Sequence, residues 1–173
     1  MTALNSQNTI AWIVALGMIA VIGAALAFEH IGGYAPCELC LRQRTPYYVG
    51  IPIILAGALL ASFNTSLRLV QLALIGAVLS LLATAGLGIY HAGAEWSFWP
   101  GPASCGAGTT ATSSDASTLL DSLSNATPPS CTDAAGRFLG LSFAGWNVIA
   151  ALGLALIAAR GLFLRPVQTG RAT

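Results

Sequence analysis

Four long runs in this chain carry no charged side chain, and they limit its fold more than any other feature. Ile10 to Phe28 and Leu141 to Ala159 are free of charge throughout. Leu69 to Ile89 is broken only by Gln71, Ser80 and Thr84, and the shorter Tyr47 to Phe63 contains Pro52. A membrane-crossing helix needs about 20 mostly apolar residues. In hydrocarbon the backbone must satisfy its own N–H and C=O groups, which selects helices over open strands. Composition leads the same way: 55% of the residues are hydrophobic, 8% are charged and lysine is absent. A soluble domain carries about 25% charged residues. The chain is therefore read as an all-α membrane protein, one membrane domain over 1–173, with the lipid bilayer as its solvent. It should form a four-transmembrane-helix bundle with spans at about 10–28, 47–63, 69–89 and 141–159. Glycines and alanines within the spans permit close helix contact. Ala25-Leu26-Ala27 has the form of a signal cleavage site, but residues 1–9 lack Lys and Arg and the apolar run is long. An uncleaved first helix is expected.

Four spans put both termini and the short connection at 64–68 on one side of the membrane, and segments 29–46 and 90–140 on the other. Arg68, Arg160, Arg165 and Arg171 lie on the terminal side, against Arg42, Arg44 and Arg137 opposite. The positive-inside rule then favours cytoplasmic termini. All four cysteines, Cys37, Cys40, Cys105 and Cys131, fall in the two exported loops, one pair to each helical hairpin. Nucleic acid is not an expected partner.

The long loop has three parts. Tyr90, Trp96, Phe98 and Trp99 suit the membrane interface. The following stretch, rich in Ser, Thr and Gly and ending in Pro128-Pro129, reads as a mobile segment. Within it, Asp115 is placed to cap a short turn on which Leu119, Leu120 and Leu123 share a face. That face would rest either on the membrane surface or on the loop itself. Asn125-Ala126-Thr127 matches a glycosylation sequon, a short and weak signal.

Cys37-Glu38-Leu39-Cys40 is the motif with the most chemistry. Two cysteines at this spacing commonly form a redox-active pair with a lowered thiol pKa. Haem attachment needs a histidine directly after the second cysteine, where Leu41 stands. Zinc usually takes four ligands, and the histidines are His30 and the distant His91, so no metal is expected. A structural bond would close little chain entropy across so short a ring. If the second helix begins early enough to include 40–44, Cys40 and Arg44 share a face. The helix N-terminus and the guanidinium would then favour a thiolate, with Glu38 opposing them. The alternative is that the arginines anchor the helix at the headgroups, the preferred reading for Arg42 and an open one for Arg44.

Cys105 and Cys131 are 26 positions apart in the long loop. A bond between them would contribute about 3.5 kcal/mol as a simple staple. An accessible disulfide in a mobile segment is also well placed to meet a thiolate of another protein. Two exported pairs suggest a relay. Exchange conserves oxidising equivalents, so electrons must leave to another acceptor. The chain carries no haem motif and no dinucleotide fingerprint. A lipid-soluble two-electron acceptor, a quinone, is the economical solution.

The four spans, "CELC" ahead of the second, Arg44 four residues after Cys40, and "YHAGAEWSFWPGPASC" followed by a further cysteine resemble the disulfide bond formation protein B (DsbB) family. The similarity runs from the first span to "LSFAGWN". It implies a bacterial inner-membrane protein-dithiol:quinone oxidoreductase. In that family pattern Cys105 and Cys131 exchange with a DsbA-like periplasmic thioredoxin-fold oxidase, Cys105 forming the mixed disulfide. Cys37 and Cys40 pass electrons to ubiquinone or menaquinone, with Cys40 nearest the ring, Arg44 assisting and His91 at the quinone end. A vitamin K epoxide reductase-like enzyme is the nearest alternative, but there the Cys-x-x-Cys follows the loop pair, whereas here it comes first. A membrane protein with inert structural disulfides is a third reading.

Overall fold

The structure is a computed structural model that describes residues 3–63, 67–102 and 130–163. Cys105, the Asp115–Leu123 segment and the Asn125 sequon lie outside the described residues. Four helices account for most of the rest: α1 (Ala3–His30), α2 (Glu38–Ser62), α3 (Leu67–Glu95) and α4 (Phe143–Phe163). All four are long and apolar enough to cross a membrane. A two-residue pair of strands, β1 (Arg137–Phe138) and β2 (Leu141–Ser142), precedes α4.

α3 is the central element, packed extensively on both α2 and α4, while α1 closes the bundle against α2 and α4. The contact faces are built from small residues. Ala73, Ala77 and Ala85 of α3, Ala58 and Ala61 of α2, and Ala151, Ala155 and Ala158 of α4 are all buried. Small side chains let helix backbones approach closely where no hydrophobic force separates protein from lipid. Larger residues fill the centre, among them Met18, Ile54, Leu74 and Leu81. Leu16, Leu72, Leu79 and Leu156 point outwards, as expected where the surroundings are lipid tails.

Both ends of the site-bearing loops are set by local chemistry. Cys37 caps α2: its extended backbone leaves Sγ accepting from the Cys40 N–H at 3.3 Å. Helix α2 thus begins nine residues before the apolar run at Tyr47, earlier than hydropathy alone suggests. The Glu38–Arg42 ion pair, one turn apart, supports those polar first turns. At the other loop, Leu139 and Gly140 both have positive φ (52° and 83°), the signature of a two-residue hairpin turn. Arg137 pairs with Ser142 and Phe138 with Leu141. Ser142 then caps α4 by accepting from the Gly145 N–H at 3.2 Å. Phe28, Tyr34 and Phe143 form an aromatic cluster that ties the end of α1 and its loop to the start of α4.

Candidate redox site at one end of the bundle

The last turns of α1 and α3 and the first turns of α2 and α4 meet at one end of the bundle, and the cysteine motif sits there. Cys37 and Cys40 are free thiols with Sγ atoms 2.8 Å apart. That is close enough for a disulfide to form by side-chain adjustment alone, since the bond itself is about 2.05 Å. His91, distant in sequence, brings Nε2 to 3.6 Å from Cys37 Sγ. His30 has no such contact among the described residues.

The contacts that favour a thiolate converge on Cys37. A hydrogen bond from the Cys40 thiol is the largest influence, helped by His91 and the Cys40 backbone N–H. Against the opposing effect of burial they pull the Cys37 thiol down to about 4. The sequence places the helix end and Arg44 nearest Cys40. The capping geometry instead points Cys37 Sγ at the amide of α2, while Cys40, one turn in, faces a cavity together with Arg44. Glu38 is held by Arg42 at the exposed edge of α2 rather than opposing the thiols.

A ladder of buried amides holds His91. Tyr47 Oη donates to Asn147 Oδ1 (3.0 Å), Asn147 Nδ2 donates to Gln43 Oε1 (2.8 Å), and Gln43 Nε2 lies 2.6 Å from His91 Nδ1. With Gln43 donating, His91 carries its proton on Nε2, towards Cys37. The Thr84 hydroxyl donates to the Gln43 carbonyl at 3.2 Å. This is next to Pro46, which supplies no N–H to the preceding turn. Glu95, one turn beyond His91, presents Oε1 at 3.6 Å from Nε2. Arg44 is ion-paired with Glu29 of α1.

Gln43, Tyr47, Asn147, Glu29 and Glu95 were not singled out as site residues from sequence. Asn147 carried a usable signal, a lone amide inside a charge-free membrane run, where polar groups are costly and need partners. Glu95 also had one, standing four residues after His91 on the same helix face.

A cavity of about 310 Å³ lies between α1, α2 and α4. Its walls are largely apolar, including Val21, Ile22, Ala25 and Phe28, and its polar lining includes Glu29, Cys40, Gln43, Arg44, His91 and Asn147. A second cavity of about 270 Å³ adjoins it at the thiols, its lining including Cys37, Cys40, His91, Glu95 and Asp133. Cys131 is fully buried and disulfide-bonded, and packs with Cys37, Leu39 and Cys40.

Four membrane-length helices that hold a Cys-x-x-Cys pair and a histidine at their common end define a membrane-embedded dithiol–disulfide protein. The chain belongs to the disulfide bond formation protein B family: the family model described as "Disulfide bond formation protein DsbB" matches residues 7–160. It is similar to the disulfide bond formation protein B of Saccharophagus degradans, 32% identical over 161 residues, covering 90% of this chain and 93% of that protein. The protein of the same name from Albidiferax ferrireducens is 30% identical over 175 residues, covering 95% of this chain and 91% of that one. No solved structure matches the chain. The chain is thus a multi-pass membrane oxidoreductase of disulfide bond formation.

Proposed function

We propose that this chain is a protein-dithiol:quinone oxidoreductase of the bacterial inner membrane, with cytoplasmic termini. It reoxidises a DsbA-like periplasmic thioredoxin-fold oxidase and passes the electrons to ubiquinone or menaquinone. One arrangement carries the reading. The Cys37–Cys40 pair stands between the buried Cys131 on one side and an apolar cavity lined by Cys40 and Arg44 on the other.

The cavity residues fit a quinone head. Small ligands are held in apolar clefts of about 300–1,000 Å³ with a few directed polar groups. Here Val21, Ile22, Ala25 and Phe28 supply the apolar wall. Arg44 supplies donors for a ring oxygen, and the His91 ring forms part of the polar end of the cavity. A quinone bound there supplies a two-electron, two-proton acceptor.

The packing of Cys131 against Cys37 and Cys40 supports the following steps for the protein's own sulfurs. The reduced partner's thiolate attacks Cys105 of the Cys105–Cys131 disulfide, and Cys131 leaves as a thiolate. Cys131 attacks the Cys37 sulfur of the oxidised pair, forming Cys131–Cys37 and releasing Cys40 as a thiolate on the cavity side. The same partner's second thiolate attacks the partner sulfur of the mixed disulfide, so the oxidised partner leaves and Cys105 is released as a thiolate, which then attacks Cys131 of the Cys131–Cys37 bond. This restores the loop bond and releases Cys37 within reach of Cys40. His91 Nε2–H is positioned to stabilise the Cys37 thiolate as it departs. A thioredoxin-fold dithiol and a quinone analogue, mixed with the purified protein, test the reading. Quinone reduction should be lost in Cys40→Ser. Turnover that survives Cys37→Ser/Cys40→Ser would exclude the relay.

A further inference from the structure

We propose that the reduced form of this site binds one thiophilic divalent cation, of the zinc and cadmium class, through Cys37, Cys40, His91 and Glu95. The sequence argues against a metal here, because zinc usually takes four ligands and the histidines are His30 and the distant His91. The fold removes that objection. The ligand atoms of Cys37, Cys40 and His91 all lie within 4.8 Å of one another. Glu95 stands just outside that cluster, with Oε1 3.6 Å from His91 Nε2; its side chain is only 4% exposed, Oε2 has no hydrogen-bond partner, and the carboxylate must swing towards the sulfurs to serve as the fourth ligand. An unpartnered buried carboxylate oxygen is costly, and a cation relieves that cost.

Two of the ligand spacings already suit a tetrahedral ion. Bonds of about 2.3 Å to sulfur and about 2.0–2.1 Å to nitrogen or oxygen place adjacent sulfur and nitrogen about 3.6 Å apart, and nitrogen and oxygen about 3.4 Å apart. Cys37 Sγ to His91 Nε2 is 3.6 Å, and His91 Nε2 to Glu95 Oε1 is 3.6 Å. Two sulfurs on such an ion stand about 3.8 Å apart. The Cys37–Cys40 separation of 2.8 Å must therefore widen, which the half-buried Cys40 side chain allows.

The surroundings supply what a metal site needs beyond its ligands. A ligating histidine is normally oriented by a hydrogen bond at its other nitrogen. Gln43 occupies that position on His91 Nδ1. For Nε2 to ligate, Nδ1 must carry the proton. The amide ladder accommodates this, because Gln43 and Asn147 each present a donor and an acceptor edge and can turn over together. The cavity of about 270 Å³ lined by Cys37, Glu95 and Asp133 gives access from outside the bundle. Binding displaces the thiol protons to water and moves no electrons. The oxidised pair has no thiolates to offer, so the ion binds only the dithiol state and opposes its return to the disulfide.

The full-length Cys105→Ser/Cys131→Ser variant in detergent, reduced and then titrated with Co²⁺, isolates the site. One Co²⁺ per chain is expected, with a thiolate-to-cobalt charge-transfer band and tetrahedral ligand-field bands that Zn²⁺ abolishes. The same protein, oxidised, should show none of these, a comparison that needs no substitution among the ligands. His91→Ala and Glu95→Gln should each weaken binding by about tenfold or more. Failure of the reduced protein to bind, or equal binding by the oxidised protein, overturns the proposal. So do unchanged affinities in both His91→Ala and Glu95→Gln, which would leave an ordinary dithiol chelate.

Discussion

Arg44 of α2 and Glu29 of α1 form an ion pair whose side chains are only 12% and 22% exposed. Both also line the apolar cavity beside Cys40. The guanidinium is therefore not a loose surface anchor. Glu29 holds it across a helix–helix contact, with donors to spare for a ligand in the cavity.

The first prediction concerns this pair. Arg44→Ala should raise the quinone concentration needed for half-maximal turnover about tenfold, equivalent to about 1.4 kcal/mol of binding. Glu29→Ala should act in the same direction and by less, because it leaves the guanidinium present but untethered. The double variant should be no worse than Arg44→Ala, since residues that act as one unit are non-additive. Turnover measured against quinone concentration separates the cases. Additive effects would mean that Glu29 works independently of Arg44.

The lowered Cys37 thiol predicts an unusual pH dependence. An ordinary unfolded thiol titrates near 9.0, and in the folded reduced protein Cys37 titrates at about 4. Because the folded value is depressed, its contribution to the stability of the reduced form is complete above 9.0. It declines as pH falls and is lost below about 4. Between these limits the reduced pair carries one proton rather than two. Its potential should then fall by about 30 mV per pH unit for a two-electron couple, against about 59 mV if both thiols were protonated. Redox titration of the Cys105→Ser/Cys131→Ser variant between pH 5 and pH 8 (about three units, within the predicted window) distinguishes the two slopes. His91→Ala should raise the pH at which the slope changes.

The membrane bundle was legible in the sequence because burial in lipid demands long charge-free runs, and such runs survive any choice of packing. The redox motif was legible because its two cysteines are neighbours in the chain. The rest depends on which helix ends meet. Nothing local in Glu38–Arg44 says that the polar turns continue the apolar helix; the Cys37 cap and the Glu38–Arg42 pair do that. His91 reaches Cys37, and Asn147 reaches Gln43, only because α3 ends where α2 and α4 begin. Those pairings are separated by 54 and 104 positions. A reader of sequence can flag a lone polar residue in a membrane run but cannot name its partner.

The amide ladder gives a third prediction. Gln43→Leu leaves Asn147 Nδ2 and His91 Nδ1 without their partners in a buried setting. The cost should be about 1–3 kcal/mol, the usual penalty for stranding buried polar groups. Tyr47→Phe removes only the outermost donor, and should cost about 1 kcal/mol or less, in line with polar contacts between membrane helices. Denaturation of the detergent-solubilised protein measures both. Equal losses in the two variants would show that the ladder is not anchored at His91.

A close approach of α2 and α3 supplies the fourth. A Cβ built on Gly57 of α2 would lie 2.2 Å from the Ala73 Cβ of α3. Neither side chain has a rotamer that relieves such an overlap, so the backbones themselves must part. Gly57→Ala should destabilise the bundle by about 1–3 kcal/mol, the range for overpacking a dense interface. Gly153 of α4 is a fitting control, because a Cβ there meets nothing within 4 Å. Gly153→Ala should be neutral or mildly stabilising through its gain in helix propensity. Measured side by side, the two substitutions change helix propensity equally and differ only in packing. A large gap between them assigns the α2–α3 contact to close approach at Gly57. Equal stabilities would mean that the helices can part there at little cost, and that the end of the bundle carrying Cys37, Cys40 and His91 is positioned by its hydrogen bonds instead.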